Sequence, residues 1–163
     1  MNYCTATLRP TTLDDLAFVL EAEAVVHAAG WVQLWTRDRH RQALGHPDER
    51  HWIVMDAVTQ ARVGYVIVLG VQDPGQSLLI KRIVMSQAGK GYGRSTLTQV
   101  LEKAFMELRA HRVWLDVMED NQRARSLYRR LGFVEEGCLR ESAKTPAGYK
   151  SQYVMSMLRS EYL

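Results

Sequence analysis

The sequence predicts one α/β (α+β) domain over residues 1–163, with a central mixed, mostly antiparallel sheet flanked by helices. Two observations predict this fold class. The 163 residues are 47% hydrophobic and 24% charged, which is typical of a globular chain with a sizeable core. Strand-like patterns come early, a strand, loop and helix form the centre, and a strand, a helix and two strands follow.

The first strand and the first helix are predicted from their boundary residues. Residues 5–9 alternate between apolar and polar side chains, and Pro10 cannot continue the strand. Thr12 offers a hydroxyl that can cap a helix, and Asp15 stands where a capping box places its acid. Apolar residues at helical spacings follow, so we predict a helix over residues 12–28.

The remaining elements are predicted from periodicity and turn residues. Six further strands are predicted at residues 52–57, 62–69, 78–85, 113–118, 135–140 and 149–158. The first two of these strands form an antiparallel hairpin, and a turn at residues 145–148 joins the last two. Further helices are predicted at residues 37–44 and 93–110. A last helix, which has one apolar face, is predicted to end at Gly132.

Composition excludes several partners. A net charge of +3 is too small to indicate nucleic acid. No apolar run approaches the length of a membrane span, and no signal-like segment begins the chain, so we expect a cytoplasmic protein without a membrane partner.

Cysteines and histidines do not predict a metal site. Cys4 and Cys138 are far apart and lack metal-ligand spacing, so neither a disulfide nor a site is expected. His40, His46 and His51 also lack zinc-binding spacing, and we predict surface or capping roles for them.

A glycine-spaced loop between the strand at 78–85 and the following helix predicts a phosphate site. Gly89, Gly91 and Gly93 let backbone N–H groups converge at the start of a helix, where the helix dipole is positive. Lys90 and Arg94 add positive charge there. The alternative is a tight connection without a ligand. A dinucleotide fingerprint fails on spacing, and a Walker loop fails because a glycine follows Lys90.

Two motifs in the second half of the chain resemble the GCN5-related N-acetyltransferase (GNAT) superfamily. They are the loop at residues 89–94 after a strand, and the run Asn121-x-x-Ala124-x-x-Leu127-Tyr128-x-x-x-Gly132-Phe133. Residues 5–10 and 149–158 are most similar to the ribosomal-protein alanine acetyltransferase-like (RimJ/RimL-like) branch. The resemblance implies the GNAT fold, in which the central strand splays from its neighbour at the cofactor cleft.

The resemblance also implies acetyl-CoA as cosubstrate. Backbone groups of the strand would pair with the pantetheine amides, and the loop N–H groups would bind the pyrophosphate. The cofactor-binding residues that it implies are Ile83, Val84, Met85, Gly89, Lys90, Gly91, Tyr92, Gly93, Arg94, Ser95, Asn121, Arg123 and Ala124. Ala88 departs from the Arg or Gln that usually precedes the first glycine.

The resemblance implies direct attack of an amine on the thioester. Tyr128 would be the acid that protonates the leaving thiolate, and its alternative is a core tyrosine on an amphipathic helix. Asp116 would be the base, and its alternative is a structural carboxylate paired with nearby groups. The family's glutamate before the loop is absent from residues 78–80, so a water chain ending at Asp116 or Glu119 is a further alternative. The N–H of Val84 would polarise the carbonyl.

The acceptor is expected to be a primary amine of a small molecule or of a protein N-terminus. Trp31 and Trp35 are candidates to stack on it, or else they cover the core or a dimer interface. Arginines in the segment of residues 30–51 disfavour polycationic acceptors such as polyamines. Two other functions stay open, namely an acyl-CoA-binding sensor without turnover and a general nucleotide-binding domain. Residues 153–155 of the last strand are the candidates for pairing with a second subunit in a homodimer.

Overall fold

The computed structural model describes residues 4–162; of the predicted domain 1–163, residues 1–3 and 163 lie outside the described residues. Seven strands form one sheet in the order β1-β2-β3-β4-β5-β7-β6. The strands are β1 Ala6–Pro10, β2 Glu49–Asp56, β3 Arg62–Leu69, β4 Ser77–Met85, β5 Arg112–Met118, β6 Val134–Thr145 and β7 Gly148–Leu158. All neighbouring pairs are antiparallel except β4 with β5, which confirms the predicted fold class.

Five α-helices accompany the sheet within residues 4–162. They are α1 Leu16–Ala28, α2 Arg37–Ala43, α3 Tyr92–Glu102, α4 Gln122–Leu131 and α5 Arg159–Tyr162. A 3₁₀ turn at Leu13–Asp15 leads into α1, and there the N–H of Thr12 donates to the Asp15 carboxylate at 2.8 Å, as a capping box requires. A π-helical turn at Lys103–Glu107 extends α3, so the predicted long helix is wider at its end than an α-helix.

Side chains on the two faces of the sheet build two cores. On one face α1 packs against β2, β3 and β4, with Val19, Ile53 and Tyr65 fully buried. On the other face α3 and α4 pack against the sheet, with Leu97 and Tyr128 among the buried residues. The sheet therefore has a layer of helix on each face, as predicted.

The sheet is open at its centre. The parallel strands β4 and β5 pair at only three positions, Ser77, Leu78 and Leu79 of β4 with residues 112–114 of β5. Beyond Leu79, β4 continues to pair with β3, while β5 continues to pair with β7 as far as Met118. The described strands thus leave one edge of residues 80–85 without a partner, and this confirms the predicted splay.

A β-bulge coincides with this opening. Ile67 pairs with Arg82 and the next residue of β3, Val68, pairs with Ile80, so Lys81 is an extra residue in β4. After an extra residue, each later side chain of the strand points to the opposite face of the sheet from the one it would otherwise face. Accordingly, Ile80 packs with the α3 core, whereas Val84 packs with the α1 core.

The last hairpin places β7 inside the sheet. β7 pairs with β5 on one edge and with β6 on the other, so residues 153–155 have no free edge to offer a second subunit. The predicted dimer contact through this strand is therefore wrong. The edge strand at this end of the sheet is β6, which is longer than predicted.

None of the helices within residues 4–162 has both the length and the apolar character that a membrane crossing needs.

Candidate active site

A cleft of about 590 Å³ opens between the end of β4, the glycine loop and the starts of α3 and α4. Gly89 and Gly91 have φ angles of +83° and +85°, in the left-handed region that favours glycine, and Gly91 is the N-cap residue of α3. The carbonyl of Lys90 accepts a hydrogen bond from the N–H of Cys4 at 3.1 Å, which ties the loop to the start of the chain. The loop can therefore present backbone N–H groups to an anion, as predicted.

Positive charge surrounds this loop. Lys90, Arg94, Arg123 and Arg130 all line the cleft. A Cβ built on Gly89 would lie 3.6 Å from an Nη atom of Arg123, so the guanidinium of Arg123 reaches across to the loop from α4. The cleft therefore suits a ligand with several negative charges.

Most of the cofactor-binding residues implied by the resemblance do line the cleft. They are Ile83, Met85, Gly89, Lys90, Gly91, Tyr92, Gly93, Arg94, Asn121, Arg123 and Ala124. The side chain of Tyr92 is buried and its hydroxyl donates to Asp56, because this side chain points into the core rather than toward a ligand.

Two residues of that set lie elsewhere. Ser95 is absent from the cleft lining, since its side chain belongs to the contact between α3 and β1, where its hydroxyl accepts from the N–H of Ala6 at 3.0 Å. Val84 lines a neighbouring pocket rather than the cleft.

That neighbouring pocket has a volume of about 300 Å³ and lies on the other side of the opened strands. Its walls come from α1, from the segment between α1 and α2, from β4 and β5, and from the β6–β7 hairpin. The Gln33 side chain donates to the Lys144 carbonyl at 2.6 Å, which holds the α1–α2 segment against the hairpin. The pocket is large enough for a small molecule.

Asp116 of β5 lines this pocket. Gln152 of β7 donates a hydrogen bond to its carboxylate at 3.2 Å. Desolvation raises the pKa of Asp116, and the nearby positive charge of Lys81 partly opposes this shift. A carboxylate with a raised pKa that faces a pocket can accept a proton.

Tyr128 of α4 lies between the cleft and the pocket. Its side chain is 7% exposed, and burial, followed by the negative charge of Asp116, raises its pKa to about 12. The phenol therefore stays protonated at neutral pH and can donate a proton. Trp31, Ile83 and Asn121 line both cavities together with Tyr128, so the two cavities meet at these four residues.

Asn121 also has a structural role that the sequence analysis did not give it. It is the N-cap of α4, and its side-chain oxygen accepts from the N–H of Ala124 at 3.3 Å. Its amide nitrogen keeps two hydrogen atoms for a ligand.

The two candidate tryptophans have different surroundings. Trp31 is 41% exposed and lines both cavities. Trp35 lines neither, because Arg39 covers its ring at 4.0 Å and the ring packs against His40. The structure therefore does not bring Trp35 to either cavity.

A buried polar cluster around Glu23 was missed by the sequence analysis. Arg82 Nη1 and the Tyr65 hydroxyl donate to Glu23 Oε2 at 2.8 and 3.0 Å, and His40 Nε2 lies 2.7 Å from the same oxygen. His51 Nε2 lies 3.1 Å from His40 Nδ1. Surface or capping roles were predicted for His40 and His51, which is wrong because both are buried here. The available signal was a carboxylate within the apolar stripe of α1.

Ionisation of Glu23 is favoured despite its burial. Desolvation raises its pKa, but hydrogen bonds from His40 and from the Trp35 N–H, together with the charge of Arg82, outweigh that effect and lower it. For His51, desolvation and the nearby His40 lower the pKa to about 3. The cluster therefore holds a carboxylate anion and a neutral His51 under the floor of the pocket that Arg82 lines.

An open sheet with a basic, backbone-lined cleft on one side and an acid-bearing pocket on the other defines an acyltransferase of the coenzyme A-dependent class. The sequence profile described as "Acetyltransferase (GNAT) domain" matches residues 6–134. The chain therefore belongs to the GNAT acetyltransferase family, which confirms the resemblance found in the sequence.

Relatives support the same assignment. Spermidine N(1)-acetyltransferase from Vibrio cholerae serotype O1 is 32% identical over 116 residues, which span 71% of this chain and 66% of the relative. The crystal structure of spermidine N-acetyltransferase from Vibrio cholerae with CoA and spermine has a TM-score of 0.87 and 26% identity, covering 97% of this chain and 98% of that one. A dodecameric structure of the Vibrio cholerae enzyme has a TM-score of 0.83 and 26% identity, over 98% and 96% of the two chains. These relatives do not support the RimJ/RimL-like branch.

Proposed function

We propose that this protein transfers the acetyl group of acetyl-CoA to a primary amine by direct attack of the amine on the thioester. The observation that carries the proposal is the position of Tyr128, a buried and protonated phenol where the basic cleft meets the pocket that contains Asp116. A thioester that entered along the cleft would reach an amine in the pocket at this point.

Two parts of the cofactor are proposed to bind two different parts of the protein. Its pantetheine arm pairs with the free edge of residues 83–85 as an added strand would, because this edge has no strand partner among the described residues. Its pyrophosphate binds the loop N–H groups around Gly91, and Arg123 adds a charge-assisted contact.

Each proton of the reaction is assigned to a side chain. Asp116 accepts one proton from the acceptor ammonium, and the neutral amine then attacks the acetyl carbonyl carbon. The carbon–sulfur bond breaks, and Tyr128 donates a proton to the departing thiolate. The second amine proton restores the Tyr128 phenol, so the products are the N-acetyl amine, CoA thiol and one released proton.

The acceptor in this proposal is a primary amine. The relatives are named for spermidine, and one was crystallised with spermine, so polyamines are the first acceptors to test. Nothing in the relatives' names supports a protein N-terminus. The arginines that weighed against polyamines in the sequence do not line the pocket: Arg39 pairs with Glu49, and Arg41 pairs with Asp38.

Self-association also remains a proposal. One relative is described as dodecameric, and the edge strand β6 of this chain carries exposed Val134 and Leu139. Light scattering of the purified protein would measure the number of subunits.

The test is release of free CoA thiol from acetyl-CoA with a panel of primary amines. Tyr128→Phe should lower kcat by roughly 10²-fold and leave acetyl-CoA binding in place, and Asp116→Asn should lower kcat/KM for the acceptor by a similar factor. Tyr149→Phe is the matched control, because Tyr149 is 63% exposed and lines neither cavity. Acetyl-CoA binding without thiol release from any amine would support the alternative, a sensor without turnover.

A further inference from the structure

The lining of the acceptor pocket has more positively charged side chains than negatively charged ones. Lys81 and Arg82 of β4 and Asp116 of β5 are the charged residues that line it within residues 4–162. Its other walls are apolar or uncharged, and they include Val26, Trp31 and Gln152. Of the two cationic side chains, Arg82 is ion-paired with the buried Glu23, so a ligand in this pocket meets one carboxylate and the ammonium of Lys81.

Lys81 owes its position to the β-bulge. It is the extra residue between the paired residues Ile80 and Arg82, at the point where β4 separates from β5. Bulges commonly re-aim a side chain next to a site. Lys81 is exposed, and no carboxylate of the described chain forms an ion pair with it. Its ammonium is thus available to a ligand, and its charge acts on Asp116.

Arg82 also lines the pocket, but Glu23 balances its positive charge. Its side chain is 3% exposed, and one end of the guanidinium pairs with Glu23 at 2.8 Å. Its buried Nε has no hydrogen-bond partner among residues 4–162. A buried donor without a protein partner is uncommon in folded proteins.

This charge pattern disfavours a polycation. A polyamine that placed one ammonium on Asp116 would bring its remaining ammonium groups toward Lys81. The described pocket lining offers no second carboxylate, because Glu23 is buried behind it and is paired with Arg82. Like charges at short distance in a partly desolvated site repel strongly. An acceptor that carries its own acid group would instead find partners for both of its charges.

We propose that the acceptor is a small zwitterionic amine, such as an α-amino acid, whose ammonium binds Asp116 and whose carboxylate binds Lys81. This inference rests on the proposed function, since it names the acceptor class of the same site. The apolar part of the acceptor would contact Val26 and Trp31. The reaction is the transfer described above, and the acid group of the acceptor is unchanged in the product.

The experiment compares each acceptor with its α-amide, in which an uncharged group replaces the carboxylate. Thiol release from acetyl-CoA is measured with a panel of α-amino acids, each beside its α-amide, and with spermidine. We expect kcat/KM to be about tenfold or more higher for the best amino acid than for its amide. Lys81→Met should bring this ratio close to one, and Lys81→Glu should shift the preference toward the amide and spermidine.

Lys144→Met is the matched control, because Lys144 is an exposed lysine that lines neither cavity. It should keep the ratio of the unmodified protein. Thiol release that is equal for acid and amide, or highest for spermidine and insensitive to Lys81→Met, would overturn the inference and leave the proposed function intact. Absence of thiol release with every amine would instead reject the proposed function itself. Circular dichroism of each variant shows whether the protein is still folded. A changed ratio in a folded variant then reports a change in acceptor preference.

Discussion

Glu23 of α1 and Arg82 of β4 form a buried ion pair, with 2.8 Å between the guanidinium nitrogen and the carboxylate oxygen and side chains only 0% and 3% exposed. The same carboxylate also accepts a hydrogen bond from the Trp35 N–H at 2.6 Å. Glu23 therefore connects α1, the segment between α1 and α2, and strand β4. A buried charge is stable only while its partners remain in place.

Glu23→Gln should therefore be strongly destabilising. The neutral amide leaves the Arg82 charge buried without its counter-ion, and breaking such a pair costs about 3–5 kcal/mol of unfolding free energy. Urea unfolding followed by circular dichroism measures the loss. Asp38→Asn is the control, because its ion pair with Arg41 has side chains 77% and 62% exposed and should change stability by less than about 0.5 kcal/mol. Similar losses for both variants would contradict the prediction.

His51 should make stability depend on pH below neutrality. Its folded pKa of about 3 lies below its ordinary value of 6.5, so between these values the unfolded chain binds a proton that the folded chain does not. The stabilisation is fully present above pH 6.5 and is lost as the pH falls toward 3. The slope from this single group approaches about 1.4 kcal/mol per pH unit.

The measurement is the unfolding free energy between pH 6.5 and 5, where few carboxyl groups of the unfolded chain titrate. His51→Gln should flatten the slope in this range, while His46→Gln should not, because His46 is exposed and its ring accepts one bond from the Asp48 N–H. An unchanged slope in His51→Gln would show that another group carries it.

Gly91→Ala should weaken acetyl-CoA binding. Gly91 has a φ of +85° at the start of α3, and an alanine there is strained by about 1–2 kcal/mol or moves the loop N–H groups. We expect KM for acetyl-CoA to rise by about tenfold. Gly45→Ala is the matched control, because no positive φ is recorded there and nothing lies within 4 Å of its Cβ position. Equal KM values for the two variants would argue against a phosphate site at the loop.

The sequence predicted those parts of the fold that depend on local pattern. Periodicity and turn residues located all seven strands, and the bounds of β3 match at Arg62–Leu69. The glycine loop was recognisable because left-handed residues at Gly89 and Gly91 restrict residue type. The acetyltransferase assignment followed from two ordered motifs and is confirmed by the family match over residues 6–134.

Features that depend on long-range packing were not predictable in the same way. The bulge at Lys81 is set by the register of β4 against β3, which no local pattern encodes. His40 and His51 look like surface residues in sequence. They are buried because Glu23, 17 residues before His40, is a hydrogen-bond partner of the His40 ring, and the His40 ring in turn contacts His51. The resemblance implied Ser95 as a cofactor-binding residue, and Trp35 was a candidate to stack on the acceptor, but each packs against another element.

The opening between β4 and β5 also allows both reactants to be bound at the same time. Val26 of α1 lines the acceptor pocket, while Leu97 of α3 and Leu127 of α4 line the cofactor cleft, so the two cavities reach Tyr128 from opposite faces of the sheet. Neither reactant has to leave before the other arrives. A ternary complex can thus assemble in either order, and no acetylated enzyme is needed to carry the group between two half-reactions.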